Sequence, residues 1–282
     1  MLRRNMSIPS HLVSILGPLS PGQLLPGIGG NNNMRTRIAA LAAASAFAIT
    51  LASVAASAAD EARETYVYAS YFNCSAGMRA DDAVNKLYKG VLDGAVKDGT
   101  VGSWGWMARH TGGNWSRIGY YSGSSLKALF AAQAELNKRW GGKDNQQVNE
   151  QFGQACQLSE DYIWRAAAGN VGTTRGDAGF SVYYICDSSR EDQADALITR
   201  VFAPMYDKMV ADGQITSWGW LEHIIGGEYR RLATFTAVDN AALLEARGAI
   251  NKLMMDDPLA DAFTDICGSH ADYIWNVVAK AP

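Results

Sequence analysis

The stretch DGTVGSWGWMARHTGG, from Asp98 to Gly113, returns 114 residues later as DGQITSWGWLEHIIGG, from Asp212 to Gly227. Eight of the sixteen positions are identical, both tryptophans among them, so the chain holds two copies of one module. The repeat reaches further in both directions. FGQACQLSEDYIW (Phe152 to Trp164) matches FTDICGSHADYIW (Phe263 to Trp275) at offset 111, and YFNC (Tyr71 to Cys74) matches YYIC (Tyr183 to Cys186) at offset 112. Whatever fold the chain adopts, it must be one that each half can form.

The repeat also sets the boundaries. Residues 64–168 form the first module and 179–282 the second, joined by a Gly- and Thr-rich linker over 169–178. Ahead of them, Met34 opens a segment with two arginines, an alanine-rich apolar run and a small-residue end at Ala56-Ser57-Ala58. That is the layout of a secretory signal peptide over 34–58, with residues 1–33 an upstream extension outside the native product. Removing 1–58 takes away four arginines and no acids, which leaves 21 basic against 28 acidic side chains. A nucleic-acid partner calls for basic clusters, so this balance speaks against one. No later run is long and apolar enough to span a bilayer. The reading is a secreted or periplasmic protein, a monomer or a weak homo-oligomer.

The four cysteines fall at matched places, Cys74 and Cys156 in one copy, Cys186 and Cys267 in the other. In an exported chain an even, matched set implies disulfides. Four cysteines allow three pairings. The repeat favours Cys74 with Cys156 and Cys186 with Cys267. No Cys-x-x-Cys or His-x-x-x-His spacing occurs, so no metal site is expected.

Within a copy the order of elements is legible. Residues 64–73 are β-branched and aromatic, which predicts a strand. Val84, Leu87, Val91, Leu92 and Val96 follow at helical spacing. Two strands with a Gly-Gly hairpin between them come next, then a helical stretch from about Ser124 with a break at Gly141-Gly142, then a last strand over 160–168. Strand, helix, strand, strand, helix, strand is the ferredoxin-like βαββαβ plan, an α+β fold. It brings the end of the first strand beside the start of the last, where Cys74 and Cys156 stand. One residue conflicts with this order: Pro204 falls inside the second module's first helical stripe.

Helices cover one face of such a sheet, yet alternation puts large apolar side chains on both faces of the Trp strand and its neighbour. The two open faces can therefore pack on each other. Two ferredoxin-like modules packed sheet to sheet as an intramolecular dimeric α/β barrel resemble the antibiotic-biosynthesis-monooxygenase and NIPSNAP-type groups. The resemblance implies a pocket between sheet and helices or within the barrel. Some members of these groups oxidise aromatic substrates without a metal or flavin and others bind haem. No cofactor follows from the residues themselves, and haem stays open on the resemblance alone.

Candidate ligand-binding residues are Arg117 and Arg231, matched mid-strand positions expected on the same side as Trp115 and Tyr229, where a guanidinium can meet a carboxylate or phenolate. The alternative for each is an internal ion pair. Tyr71 and Tyr183 could add hydroxyls to the same cavity or serve as packing. His223 stands where the copies part: Arg109 and His110 in one are His223 and Ile224 in the other. No catalytic residue is assigned. No Gly-x-Ser-x-Gly elbow, phosphate-binding glycine loop or dinucleotide fingerprint is present, which disfavours hydrolase, kinase and nicotinamide-dehydrogenase chemistry. Three functions are left: binding of a small aromatic or apolar molecule, cofactor-independent monooxygenase-like chemistry in the barrel cavity, or a cell-envelope interaction module.

Overall fold

A computed structural model describes residues 64–171, 175–255 and 257–281. The segments 1–33 and 34–58 lie outside the described residues. The first module runs β1 (Thr65–Cys74), α1 (Gly77–Ala83), α2 (Lys89–Lys97), β2 (Trp104–Gly112), β3 (Arg117–Gly123), α3 (Leu126–Trp140), α4 (Gln146–Ala155) and β4 (Cys156–Val171). The second repeats it with β5 (Ala178–Ile185), α5 (Glu191–Leu197), α6 (Ala203–Ala211), β6 (Ser217–Gly226), β7 (Arg231–Ala237), α7 (Asn240–Met255), α8 (Pro258–Ile266) and β8 (Ser269–Ala281). This is the βαββαβ order twice over, and β4 runs to Val171, inside the stretch read as linker.

The eight strands close into one barrel in the order β1-β3-β2-β8-β5-β7-β6-β4. Two of its seams join the modules: β2 pairs antiparallel with β8, and β4 with β6. Closure leaves no unpaired strand edge among these eight, which removes the usual site of edge-to-edge aggregation. The Gly-Gly hairpins belong to these seams. Gly112 and Gly226 have φ of 113° and 136°, and a Cβ on either would strike the backbone carbonyl of Asp272 or Asp161 in the other module. A side chain there would push the hairpin off its partner strand, so glycine recurs.

Each first helix is interrupted by a π-helical turn at matched places, Val84–Tyr88 and Ile198–Phe202. This explains Pro204. The π turn ends the regular ladder just before it, so the proline sits in the opening residues of α6, where a missing N–H costs little. Cys74 and Cys156 are direct partners in the β1–β4 register and are bonded; Cys186 and Cys267, just beyond β5 and before β8, are bonded too.

Two cores lie between sheet and helices, one per module, and a third fills the barrel. The barrel core is mainly aromatic: Tyr71, Trp115, Tyr162, Trp164, Tyr183, Tyr273 and Trp275 are buried there, with Trp115 stacked on Tyr273 at 5.2 Å between ring centroids. Each such ring removes about 150–250 Å² from water, worth several kcal/mol at roughly 25 cal/mol per Å². The lumen is thus a packed core made by both halves.

The bridges close loops with sequence separations of 82 and 81 residues. Replacing Cys186 and Cys267 together by serine is expected to lower the unfolding free energy by about 2–5 kcal/mol. Chemical denaturation with and without reductant checks this, and an unchanged midpoint would count against a stabilising role.

Candidate functional site

The paired tryptophans of the repeat point to the helices. On β2, Trp104 and Trp106 donate their indole N–H groups to Asp93 (3.0 Å) and Asp81 (2.7 Å). On β6, Trp218 and Trp220 do the same to Asp207 (2.8 Å) and Asp195 (2.7 Å). Residues two apart on a strand share a face, so each Trp pair clamps the helical segment on both sides of the π turn. The glycine between them faces the barrel. At Gly105 a Cβ would overlap the Tyr120 ring, so what approaches the backbone there is a neighbouring side chain.

Arg117 and Arg231 complete the same clamps. Arg117 grips Asp81 through Nε and Nη2, both at 2.8 Å, and Arg231 grips Asp195 through Nε and Nη2, both at 2.7 Å. Arg231 also reaches Glu191 at 3.0 Å, and its side chain is only 5 % exposed. Burial opposes its charge, but the bonds to Asp195 and Glu191 outweigh that and raise its pKa. Both arginines are therefore held in internal ion pairs on the helix side. The expectation that they share a side with Trp115 and Tyr229 is corrected: β3 begins at Arg117, and Trp115 lies before it, with its ring inside the barrel beside Ile118. Regular alternation does not extend back through Ser116, whose N–H donates to Phe72 and whose hydroxyl accepts from the Cys74 N–H.

Tyr71 and Tyr183 are fully buried at the barrel core, on the other side of the sheet from the arginines, and do not share a cavity with them. Their hydroxyls and the indole N–H groups of Trp164 and Trp275 have no hydrogen-bond partner among the described residues. Burial, followed by the Tyr183 hydroxyl, pushes the Tyr71 pKa far up, and burial raises that of Tyr183. Neither is suited to supply a phenolate. His223 sits at a barrel end near Trp164, 5.9 Å between ring centroids. Its Nδ1 accepts from Arg230 at 2.8 Å and its Nε2 faces the Gly226 carbonyl at 3.3 Å, an arrangement that suits the neutral ring. Burial first, then the Arg230 charge, lowers its pKa despite the Gly226 carbonyl.

A different place has the shape of a binding site. Between the second module's sheet and its helices lies a cavity of about 190 Å³. Phe180, Tyr184, Tyr206, Trp218, Trp220, Phe235 and Phe263 make its aromatic walls, and Ile198, Ile250 and Met254 add aliphatic surface. Arg247, Asn251, His270 and Asp272 bring polar groups to it. The Arg247 guanidinium lies 4.8 Å from the Phe180 ring centre and is paired with one oxygen of Asp272. The other oxygen, Oδ1, is buried with no hydrogen-bond partner, and His270 Nε2 is 3.7 Å from it. Burial raises the pKa of Tyr184 and of Tyr206, so both phenols are neutral. A mostly apolar cavity with a few convergent polar groups is what a small-molecule site requires. Sequence reasoning had passed over Arg247 and Asp272. Their signal was available in the repeat, where Arg247 stands opposite Gln133 while Asp272 stands opposite Asp161.

Solved structures share this architecture. A protein of Fusobacterium nucleatum provisionally named a monooxygenase aligns with a TM-score of 0.52 at 8% identity, over 77% of this chain and 93% of its own. One from Lactobacillus acidophilus, also provisionally named a monooxygenase, aligns at 0.50 and 6% identity, over 78% and 96%. A chlorite dismutase from Candidatus Nitrospira defluvii gives 0.49 at 7% identity over 77% and 91%. At such identities the likeness shows the fold, which is the dimeric α/β barrel built within one chain. No family model matches the sequence, and no curated protein matches it. Haem, left open by the resemblance, does not fit the cavity described: about 190 Å³ is below the roughly 300–1,000 Å³ of pockets for drug-sized ligands.

Two outcomes follow from this geometry. Asp195→Ala leaves the buried Arg231 with Glu191 as its one carboxylate and the Trp220 N–H without its acceptor, so it is expected to cost about 1–3 kcal/mol in denaturant unfolding. Asp81→Ala, beside a more exposed arginine, is expected to cost less; equal small losses would remove the clamp from the account. For His223, a folded pKa below the ordinary 6.5 means that the unfolded chain takes up the proton first as pH falls. Native stability should therefore decline on acidification below about pH 6.5 until the folded-state pKa is passed, and that component should vanish in His223→Gln. Thermal unfolding from pH 7 to 5 checks it, and identical slopes for the two proteins would refute it.

Proposed function

We propose that the protein is an exported binding protein that holds a small aromatic or apolar molecule in the cavity of its second module. The observation that carries this reading is the cavity itself: seven aromatic side chains line it, while Arg247, His270 and Asp272 reach it from α7 and β8. Its volume exceeds the about 150 Å³ of an engineered apolar cavity that takes up benzene. Export is supported by the two disulfides, which persist in oxidising compartments, and by the signal-like segment that ends at Ala58.

A second reading adds cofactor-independent oxidation of the bound molecule, and rests on the likeness to two proteins provisionally named monooxygenases. The aromatic walls accommodate it, but its site would be this cavity, because aromatic side chains pack the barrel core.

Native mass spectrometry of protein recovered from the periplasm or medium tests both parts. The expected result is a mature chain beginning near Ala59 with a co-purified small molecule, absent from Ala233→Phe, which places a ring where Ala233 lines the cavity. A chain retaining residues 34–58 would overturn export. Equal ligand retention by the filled variant would move the site elsewhere. Dissolved-oxygen consumption on adding a bound probe separates the two readings, and none means binding alone.

A further inference from the structure

The two copies can be compared atom by atom around one carboxylate. In the first module, Asp161 accepts a hydrogen bond from the Ser70 hydroxyl at 2.6 Å. The Tyr68 hydroxyl is close enough to the same carboxylate for Asp161 to add to the effect of burial in raising the tyrosine's pKa. In the second module the matched carboxylate is Asp272, but Ser70 has become Val182 and Tyr68 has become Phe180. Both hydroxyls are gone and the side chains that replaced them line the cavity. Gln133 has become Arg247, which takes one oxygen of Asp272 and leaves Oδ1 buried without a hydrogen bond, 3.7 Å from His270 Nε2. Leaving a buried acceptor unmade is costly, and a fold that satisfies this carboxylate in one copy has withdrawn the satisfaction in the other.

We infer that Asp272 Oδ1 is the specificity determinant of the second-module site and that it selects molecules with a neutral N–H or O–H donor on an aromatic ring. This rests on the reading of the cavity as a ligand site. The donor is neutral because Arg247 already balances the carboxylate, and a ligand cation would meet that guanidinium beside Phe180. The ring follows from the walls, where Phe180, Trp220, Phe235 and Phe263 offer flat apolar faces. Val182 sets the preference by what it lacks: a hydroxyl at that position would take the oxygen that the ligand needs.

The test uses two probes that differ in one hydrogen-bond donor, indole and 1-methylindole, titrated into the full mature protein and followed by NMR of the Met254 and Ile250 methyl groups. Both are expected to shift those signals, with indole bound about tenfold more tightly. In Val182→Ser, which restores the Ser70–Asp161 arrangement, the indole preference is expected to collapse to about twofold or less. Equal affinities in the wild-type protein would overturn the selection by Asp272 but leave the cavity as a binding site. No shift with either probe would overturn the site and the selection together. The wild-type comparison needs no variant to fold. A Val182→Ser protein that folds and keeps the full preference would also refute the inference.

Discussion

Closure of the barrel through the β2–β8 and β4–β6 seams is the constraint on which the remaining structure depends. Two open ferredoxin-like sheets joined at both edges enclose a lumen that must be filled, and both copies fill it with aromatic side chains. Large rings pack that volume with few rotatable bonds, at the expense of four polar atoms buried without partners. With the lumen occupied, room for a ligand lies between a sheet and its own helices. The place of the cavity is thus a consequence of how the barrel is closed.

The indole–aspartate clamp decides how each helical layer sits over its sheet. Two N–H donors on one strand face engage two carboxylates that lie on either side of a π turn, and an arginine from the neighbouring strand binds one of them. A partly buried carboxylate that accepts from both indole and guanidinium is well satisfied, and removing it takes an acceptor from two donors at once. The π turn has a place in this geometry: it separates the helical segments bearing the two aspartates. In the second module it also admits Pro204, which a regular helix would not accept at that point.

Much of this was legible in the sequence. The duplication, the order of elements and the cysteine pairing could be read because each is local, or repeats a local pattern at fixed offset. The Trp pairs could be placed on a strand but not given a purpose, since their partners Asp81 and Asp93 look like ordinary solvated acids of an amphipathic helix. Alternation misplaced Trp115 relative to Arg117 because strand periodicity does not persist through an irregular entry such as Asn114 to Ser116. The cavity lay beyond sequence reasoning altogether, since its lining comes from four strands and from four helical segments far apart in the chain.

Duplication explains why this cavity lies in one half. A single module pairing with an identical copy must carry every feature twice, so a cavity opened in one sheet opens in the other. A tandem chain is free of that symmetry. Here the first copy keeps Ser70 on Asp161 and Trp140 packed against Tyr88, while the second puts Val182 and Met254 at those positions. Stability is then shared: the first module supplies half of the seams and the aromatic core, and the second can bear an unsatisfied carboxylate and an incompletely filled interior. Both copies keep the indole–aspartate–arginine clamp because each must hold its helices on the sheet, whether or not anything is bound beneath them.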